Sequence, residues 1–160
     1  MKSKDVSKFD IDWQVFRVSL KKLTTNIDKA EASAEYLMEH PNRADRERIL
    51  NYLQGLAIAY RGQERKDVED IAESLSELPV SDENKINVDF SKYDKKTLLG
   101  VARDLMSRTV KWLKKGYRHE EQISFLKSLL KYIGATNIED ELDDQILLSK
   151  TVPNTHKFLF

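Results

Sequence analysis

The chain has 160 residues, 27 of them basic and 27 acidic, and it contains no cysteine. The lack of cysteine excludes disulfide bonds, zinc–thiolate sites, iron–sulfur clusters and thiol nucleophiles, and the zero formal net charge argues against a polyanion-binding protein that acts through its total charge. No run of about 18 apolar residues occurs, and the polar, basic segment 1–9 lacks the pattern of a signal peptide, so we expect a cytoplasmic protein without a membrane-spanning helix.

The first strong pattern begins near Asp12 and predicts one long amphipathic helix that ends at His40, before Pro41. Its apolar residues recur at spacings of three and four: Trp13, Phe16, Leu20, Leu23, Ile27, Ala30, Ala34 and Leu37. Such a stripe is typical of a helix with one buried face. The small Ala30 and Ala34 favour packing against another helix of the same chain, and a coiled-coil dimer stays open as the alternative.

A second helix is predicted to begin at Asn42 or Asp45, both of which can cap it. The apolar residues of this segment are Ile49, Leu50, Leu53, Leu56, Ala57, Tyr60, Val68, Ile71, Leu75 and Leu78. Pairs of them eleven residues apart keep one face in register through a continuous helix. We therefore favour a helix that bends or frays at Gly62 and stops only before Pro79, and a helix that ends at Gly62 stays open as the alternative.

Residues 79–91 are rich in serine, aspartate, asparagine and lysine and predict a linker. Within it Ile86, Val88 and Phe90 alternate with polar residues, which is a strand-like pattern. One such segment has no obvious sheet partner in the chain. Two interpretations stay open, an extended strip packed on helices and pairing between protomers, and the three apolar residues are candidates for partner binding.

Residues 92–149 predict a C-terminal helical subdomain. Its apolar residues are Leu98, Val101, Ala102, Leu105, Trp112, Leu113, Ile123, Leu126, Leu130, Ile133, Leu142 and Ile146. Gly116 and Gly134 follow the first two periodic segments, as glycines follow helix ends. Thr136 and Glu139 have capping-box spacing for a third helix.

The last residues, 150–160, contain Pro153 and predict an extended tail. They finish with three apolar residues, Phe158, Leu159 and Phe160, which a solvated tail would not favour. We expect this tail to dock into an apolar groove of its own chain or of a neighbouring one, and these three residues are further candidates for partner binding. The alternative is a disordered end.

Together these patterns predict an all-α fold, an antiparallel helical bundle of five to six helices with a long N-terminal helix, a short extended linker and an extended C-terminal tail. The expected parts are a polar N-terminal arm at 1–11, an N-terminal helical hairpin at 12–78, the linker at 79–91, the C-terminal helical subdomain at 92–149 and the tail at 150–160.

No motif for catalysis, for a metal or for a cofactor is present, and we expect a protein that is not an enzyme. His40, His119 and His156 lack ligand spacing. Glu35 and Glu39 share a helix face, but the chain has no Glu-x-x-His motif of the kind that carboxylate-bridged metal sites use. The five glycines are scattered and form no phosphate-binding loop.

Charge is segregated along the chain although its total is zero. Between Lys92 and Lys131 there are 11 basic and 4 acidic residues. Seven cations of this region lie opposite the apolar helix face and form a candidate nucleic-acid-binding stripe: Lys96, Arg103, Arg108, Lys111, Lys114, Lys115 and Arg118. No interleaved surface aromatics are evident, and we favour an ordinary solvated face; pairing to the acidic blocks 64–83 and 139–144 is a further alternative.

The function that we expect is a non-catalytic protein-binding or assembly protein, oligomeric, such as a subunit of a phage or of another macromolecular complex. If the protein is phage-encoded, its location is the host cytoplasm or the virion. The alternative is a nucleic-acid-binding accessory protein that uses the basic helix face at 96–118. Neither hypothesis requires a membrane, a cofactor or a small-molecule substrate.

Overall fold

The computed structural model describes residues 9–82 and 87–158, and of residues 150–158 it describes the backbone only. Over these residues the chain forms seven α-helices and no β-strand. In chain order they are α1 Ile11–Leu20, α2 Asn26–Glu39, α3 Arg43–Ile58, α4 Gln63–Ser76, α5 Lys95–Lys114, α6 Glu120–Ile133 and α7 Thr136–Phe158. The all-helical class is therefore confirmed for the described residues, whereas the expected number of five to six helices is too low.

The single helix predicted over residues 12–40 is wrong, because the chain folds back on itself between α1 and α2. The rings of Trp13 and Tyr36 have centroids 5.7 Å apart. If both residues belonged to one continuous helix, their positions in the sequence would place them about 35 Å apart. The Thr25 hydroxyl accepts a hydrogen bond from the Asp28 N–H at 3.2 Å and so caps the start of α2. The apolar spacing continues across this turn, and for that reason it does not reveal the break.

The helix expected to bend at Gly62 is also two helices. Gly62 has φ 71° and ψ −140°, which lies outside the α-helical region, and it stands immediately before α4. Leu53 of α3 and Val68 of α4 belong to the same buried core. Two helices packed side by side satisfy the eleven-residue apolar spacing as well as one continuous helix does, so that prediction was wrong.

Contacts divide the chain into two compact units, with the boundary between Asn87 and Val88. The N-terminal unit holds α1 to α4, whose buried core consists of Trp13, Ala30, Tyr36, Leu37, Ile49, Leu53, Ala57, Val68 and Leu75. After α4 the chain pairs with the residues at the start of α3 and just before it. The Arg43 N–H donates to the Ser81 carbonyl at 2.8 Å, and the Ser81 N–H donates to the Pro41 carbonyl at 2.9 Å. Part of the predicted linker thus lies on its own unit as an isolated bridge.

The C-terminal unit holds α5, α6 and α7 around one apolar core. The Gln122 side chain donates to the Thr109 hydroxyl at 2.8 Å, which joins the start of α6 to the second half of α5. Ion pairs then join α6 to α7, between Lys127 and Asp143 and between Lys131 and Glu139. These contacts, with the short turn between α5 and α6, show that α6 is antiparallel to both of its neighbours. The helices α5 and α7 therefore run in the same direction.

The strand-like linker segment is described only in part, because Ile86 lies outside the described residues. Val88 is 60% exposed. Phe90 begins a 3₁₀ turn, Phe90–Lys92, that Asp89 caps through the Ser91 N–H, and this turn replaces the expected extended strip at that position. The Phe90 ring packs against the rings of Phe125 and Tyr132 in its own unit.

The extended tail predicted over residues 150–160 is wrong as far as Phe158, because α7 continues to that residue. Pro153 lies inside the helix. A proline there removes one hydrogen bond, at a cost of about 3 kcal/mol, but a helix that already extends from Thr136 gains one bond for each further residue. Leu159 and Phe160 lie outside the described residues, so docking of the apolar end stays a prediction.

Candidate interaction surface

The predicted basic stripe divides into paired and unpaired cations. Arg108 contacts Asp104 on the same helix at 2.9 Å, and Arg118 contacts Glu120 at 3.0 Å. The remaining members of the stripe are exposed side chains: Lys96, Arg103, Lys111, Lys114 and Lys115. Among the residues that the structure describes, no ion pair forms to Arg103, Lys111 or Lys114. These three cations therefore keep their charge available, as does Lys96, for which no ion pair is found among the described residues either.

The same three cations line a groove of about 580 Å³ between α5 and the first turns of α7. The full lining is Arg103, Met106, Ser107, Val110, Lys111, Lys114, Ile138 and Glu141. Three of these residues, from both helices, form its apolar part: Met106, Val110 and Ile138. A smaller pocket of about 390 Å³ adjoins it where Arg103 faces residues 134–138. The surface is thus an apolar strip with cations beside it.

The acidic residues at the start of α7 divide between α6 and this groove. Glu139 and Asp143 pair with lysines of α6, at 4.0 and 3.3 Å. Glu141 is the one carboxylate in the lining. Of the acidic block 139–144, two carboxylates thus pair with α6, whereas Glu141 lines the same groove as three cations of the basic stripe.

Exposed aromatic rings lie at the end of α5 and in the turn that follows it. Trp112 is 40% exposed and Tyr117 is 57% exposed. The indole contacts the Tyr117 and His119 rings edge-on, with centroids 5.5 and 5.2 Å apart. The Lys115 ammonium lies 5.4 Å from the Trp112 ring centroid, within the range of a cation–π contact. We call Trp112, Lys115, Tyr117 and His119 the aromatic corner.

Sequence reasoning missed the aromatic corner because its rings come from both sides of a turn. On the helical wheel Trp112 shares a face with Leu105, and this position predicted that Trp112 belongs to the core. In the structure Trp112 lies in the last full turn of α5, and its side chain is only partly covered. Gly116, with φ 90°, reverses the chain, and the Tyr117 N–H donates to the Trp112 carbonyl at 3.0 Å. An aromatic residue on each side of a glycine was the signal available in the sequence.

Buried polar side chains of the N-terminal unit serve as helix caps. At the start of α1 the Asp10 carboxylate accepts a hydrogen bond from the Asp12 N–H at 2.8 Å. At the start of α3 the side-chain Oδ1 of Asn42 accepts a hydrogen bond from the Asp45 N–H at 2.8 Å. Asp45 also contacts Arg48 at 2.6 Å. Burial raises the pKa of Asp10, and the backbone hydrogen bond from Asp12 offsets only part of that effect. These groups stabilise local structure and point to no substrate.

Neither a metal-binding cluster nor a membrane-spanning helix is found among the described residues. In the part of the chain that the structure describes, no group of three or more histidine and carboxylate side chains has an arrangement that could hold a metal ion. None of the helices described is long and apolar enough to cross a membrane.

Comparisons with known proteins leave the surface to be interpreted from its own geometry. No protein-family model, no curated protein and no solved structure matches the chain.

Proposed function

We propose that this chain is a non-catalytic binding protein, that its partner is another protein, and that the aromatic corner and the α5–α7 groove are two contact surfaces on the C-terminal unit. The observation that carries the proposal is the exposure of Trp112 and Tyr117, with the Lys115 ammonium 5.4 Å from the Trp112 ring centroid. Tryptophan, tyrosine and arginine dominate the energetics of protein interfaces because they bury large areas and also carry polar groups. A cluster of such residues on one corner is therefore more informative than single exposed apolar side chains.

The groove supports a protein partner over a nucleic acid. Met106, Val110 and Ile138 supply an apolar strip, and burying apolar side chains of a partner against it contributes about 25 cal/mol per Å² removed from water. A phosphate backbone has no apolar surface to place there. The cations beside the strip then add electrostatic complementarity and faster association.

An assembly role is part of the same proposal. Leu147 and Leu148 of α7 are 61% and 57% exposed and give the C-terminal unit a second apolar surface. With the apolar end at Phe158, Leu159 and Phe160, they support association with a further protein or with a second copy of the chain. We propose a subunit of a larger complex, for which a phage assembly is one example.

Site-specific crosslinking tests the proposal. The photoreactive residue p-benzoyl-phenylalanine replaces Tyr117 on the contact surface or, as the matched control, Met38, which is 70% exposed in the N-terminal unit. Irradiation of cells that make each variant should give a discrete protein adduct at Tyr117, resistant to nuclease, and none at Met38. The purified partner should then bind the Trp112→Ala variant at least about tenfold more weakly, as expected for the loss of a hot spot. Equal adducts at both positions would contradict a specific surface.

A second candidate function is the binding of single-stranded nucleic acid, and the aromatic corner is the observation that favours it. Single strands bind where bases stack on aromatic rings beside cations that follow the backbone. Nuclease-sensitive adducts at Tyr117 would select this function. The direct measurement uses labelled oligonucleotides and the Lys111→Glu, Lys114→Glu double variant, which should bind more weakly and with a smaller salt dependence if phosphates contact these lysines.

A further inference from the structure

We propose that the α5–α7 groove binds an acidic amphipathic helix of the partner, which lies along α5 and makes the three-helix unit a four-helix one. This inference rests on the proposed function and adds to it the kind of segment that is recognised. An amphipathic helix that places its apolar face in an apolar groove is one of the common modes of peptide recognition.

The dimensions of the groove suit a helix of three turns or more. Its lining on α5 runs from Arg103 to Lys114, which is about 16 Å at 1.5 Å per residue. The lining comes from α5 and the first turns of α7, and no residue of α6 lines this channel. Met106, Val110 and Ile138 occupy this channel and meet apolar residues that a ligand helix carries at positions i, i+3 or i+4, and i+7.

The charge of the groove specifies an acidic ligand. Arg103, Lys111 and Lys114 form no ion pair with a described residue, against the single carboxylate of Glu141. The first turn of α7, which lines the adjoining pocket, adds the partial positive charge of a helix N-terminus at the Arg103 end. Glutamates that flank the apolar stripe of the ligand would face these cations, whereas lysines at those positions would be repelled.

The probe is a fluorescein-labelled synthetic peptide of about 15 residues, built from leucine, alanine and glutamate with the leucines at helical spacing. One control peptide has the same composition in scrambled order, and a second has lysine in place of every glutamate. Binding to the full chain is measured by fluorescence anisotropy at physiological ionic strength, and helix formation by circular dichroism. We expect the patterned peptide to bind at least about tenfold more tightly than either control and to gain helicity when bound.

Variants of the full chain locate the binding. Arg103→Glu with Lys111→Glu removes the charge complementarity, and Val110→Asp places a carboxylate on the apolar strip; each should weaken binding of the patterned peptide at least about tenfold. Lys95→Glu, on the same helix but outside the groove, reverses a single charge and should leave the affinity within about threefold. Thermal melts of each variant by circular dichroism identify any change that only unfolds the unit.

The outcomes separate the two proposals. Equal binding of the scrambled peptide, or unchanged binding by Val110→Asp in a folded protein, overturns the amphipathic helix as the occupant. A single-stranded oligothymidylate that binds more tightly than the peptide and displaces it also overturns it, in favour of nucleic acid. If the patterned peptide does not bind while Tyr117 still crosslinks to a protein, the groove inference fails and the proposed function stands; if neither occurs, both fail.

Discussion

At the scale of single residues, Tyr36 shows how the N-terminal unit is held together. Its ring stacks on Phe16, with centroids 4.4 Å apart, and on His40, with centroids 4.1 Å apart. These contacts join α1 to the end of α2. The Tyr36 hydroxyl is buried, and no hydrogen-bond partner for it is present among the described residues. A buried hydroxyl without a partner costs free energy because it loses its hydrogen bonds to water.

Tyr36→Phe should therefore stabilise the protein. The change removes the unpaired hydroxyl and keeps the stacked ring, and we expect the free energy of unfolding to rise by about 1 kcal/mol. Urea denaturation followed by circular dichroism measures it. Tyr52→Phe, at a half-buried tyrosine of α3, is the control and should change stability less. A loss of stability in Tyr36→Phe would mean that the hydroxyl has a favourable interaction.

Asp10 makes a prediction about pH. Burial raises the pKa of Asp10 above its value in the unfolded chain, so the folded state favours the protonated carboxyl. Its contribution to stability is present in full below the unfolded pKa and is lost as the pH rises through the folded pKa. Asp10→Asn keeps a capping side chain and removes this charge. We expect the variant to be more stable than the parent at neutral pH, and the difference to shrink as the pH falls through the raised pKa of Asp10.

Denaturation of both proteins over a series of pH values between neutral and about 4 measures this difference. The control is Asp28→Asn, which makes the same change in the first turn of α2, where the carboxyl is exposed. A gap between Asp10→Asn and the parent that stays constant with pH would show that the Asp10 carboxyl titrates alike in the folded and unfolded states.

At the scale of elements, the breaks between helices decide which faces meet. α1 packs back on α2, and α3 packs on α4, because the chain leaves the helical conformation after Leu20 and again at Gly62. At the first break Thr25 caps the new helix. At the second break the positive φ of Gly62 favours glycine, since a β-carbon would strain the backbone there.

Two glycine-to-alanine changes should have opposite effects for this reason. Gly62→Ala should lower the free energy of unfolding by about 1–3 kcal/mol, because alanine resists the positive φ. Gly55→Ala, within α3, should raise it by about 0.5–1 kcal/mol, since alanine favours the helix and nothing lies within 4 Å of the added β-carbon. Urea denaturation of the two variants and of the parent measures whether each change raises or lowers the free energy of unfolding. A stabilised Gly62→Ala protein would contradict the turn and favour the continuous helix.

At the scale of the whole molecule, we predict that the apolar end of the chain docks into a groove of its own chain or of a neighbouring one. α7 extends to Phe158, and the chain then continues with Leu159 and Phe160. Burying three such side chains contributes about 1.5–3 kcal/mol each, which can offset the ordering of a short segment. A helical backbone lowers that cost further, because each residue added to an existing helix forms one more hydrogen bond.

Removal of residues 151–160 tests this role. If the end docks, the shortened protein should lose oligomeric state, a partner or thermal stability, measured by light scattering, by crosslinking at Tyr117 and by melting temperature. The triple change Phe158→Ser, Leu159→Ser and Phe160→Ser in the full chain separates loss of the apolar contacts from loss of helix length. A shortened protein that matches the parent in all three measurements would show that the end does not dock.

The stretches that form helices follow from the sequence because apolar period, caps and breakers are local properties. The patterns predicted the all-helical class, the turn at Gly116 and a helix that starts within one residue of Thr136, although the expected helix was short and α7 extends to Phe158. They did not predict the break at residues 21–25, where apolar spacing continues across a turn, nor the helix beyond Pro153. Of the candidate surface, the cations were predicted, whereas the exposure of Trp112 was not.

The sequence by itself determined that this protein is helical, that its charges are segregated and that one helix carries a basic face, since each of these depends on the order of neighbouring residues. Only the tertiary structure decided which of those charges remain unpaired. Whether Glu139 meets Lys131 of α6 or a cation of α5 depends on how three helices pack, and periodicity along one helix carries no information about its rotation against the next. The same packing decides that Met106, Val110 and Ile138 share one groove with three cations and that Trp112 stays partly in water.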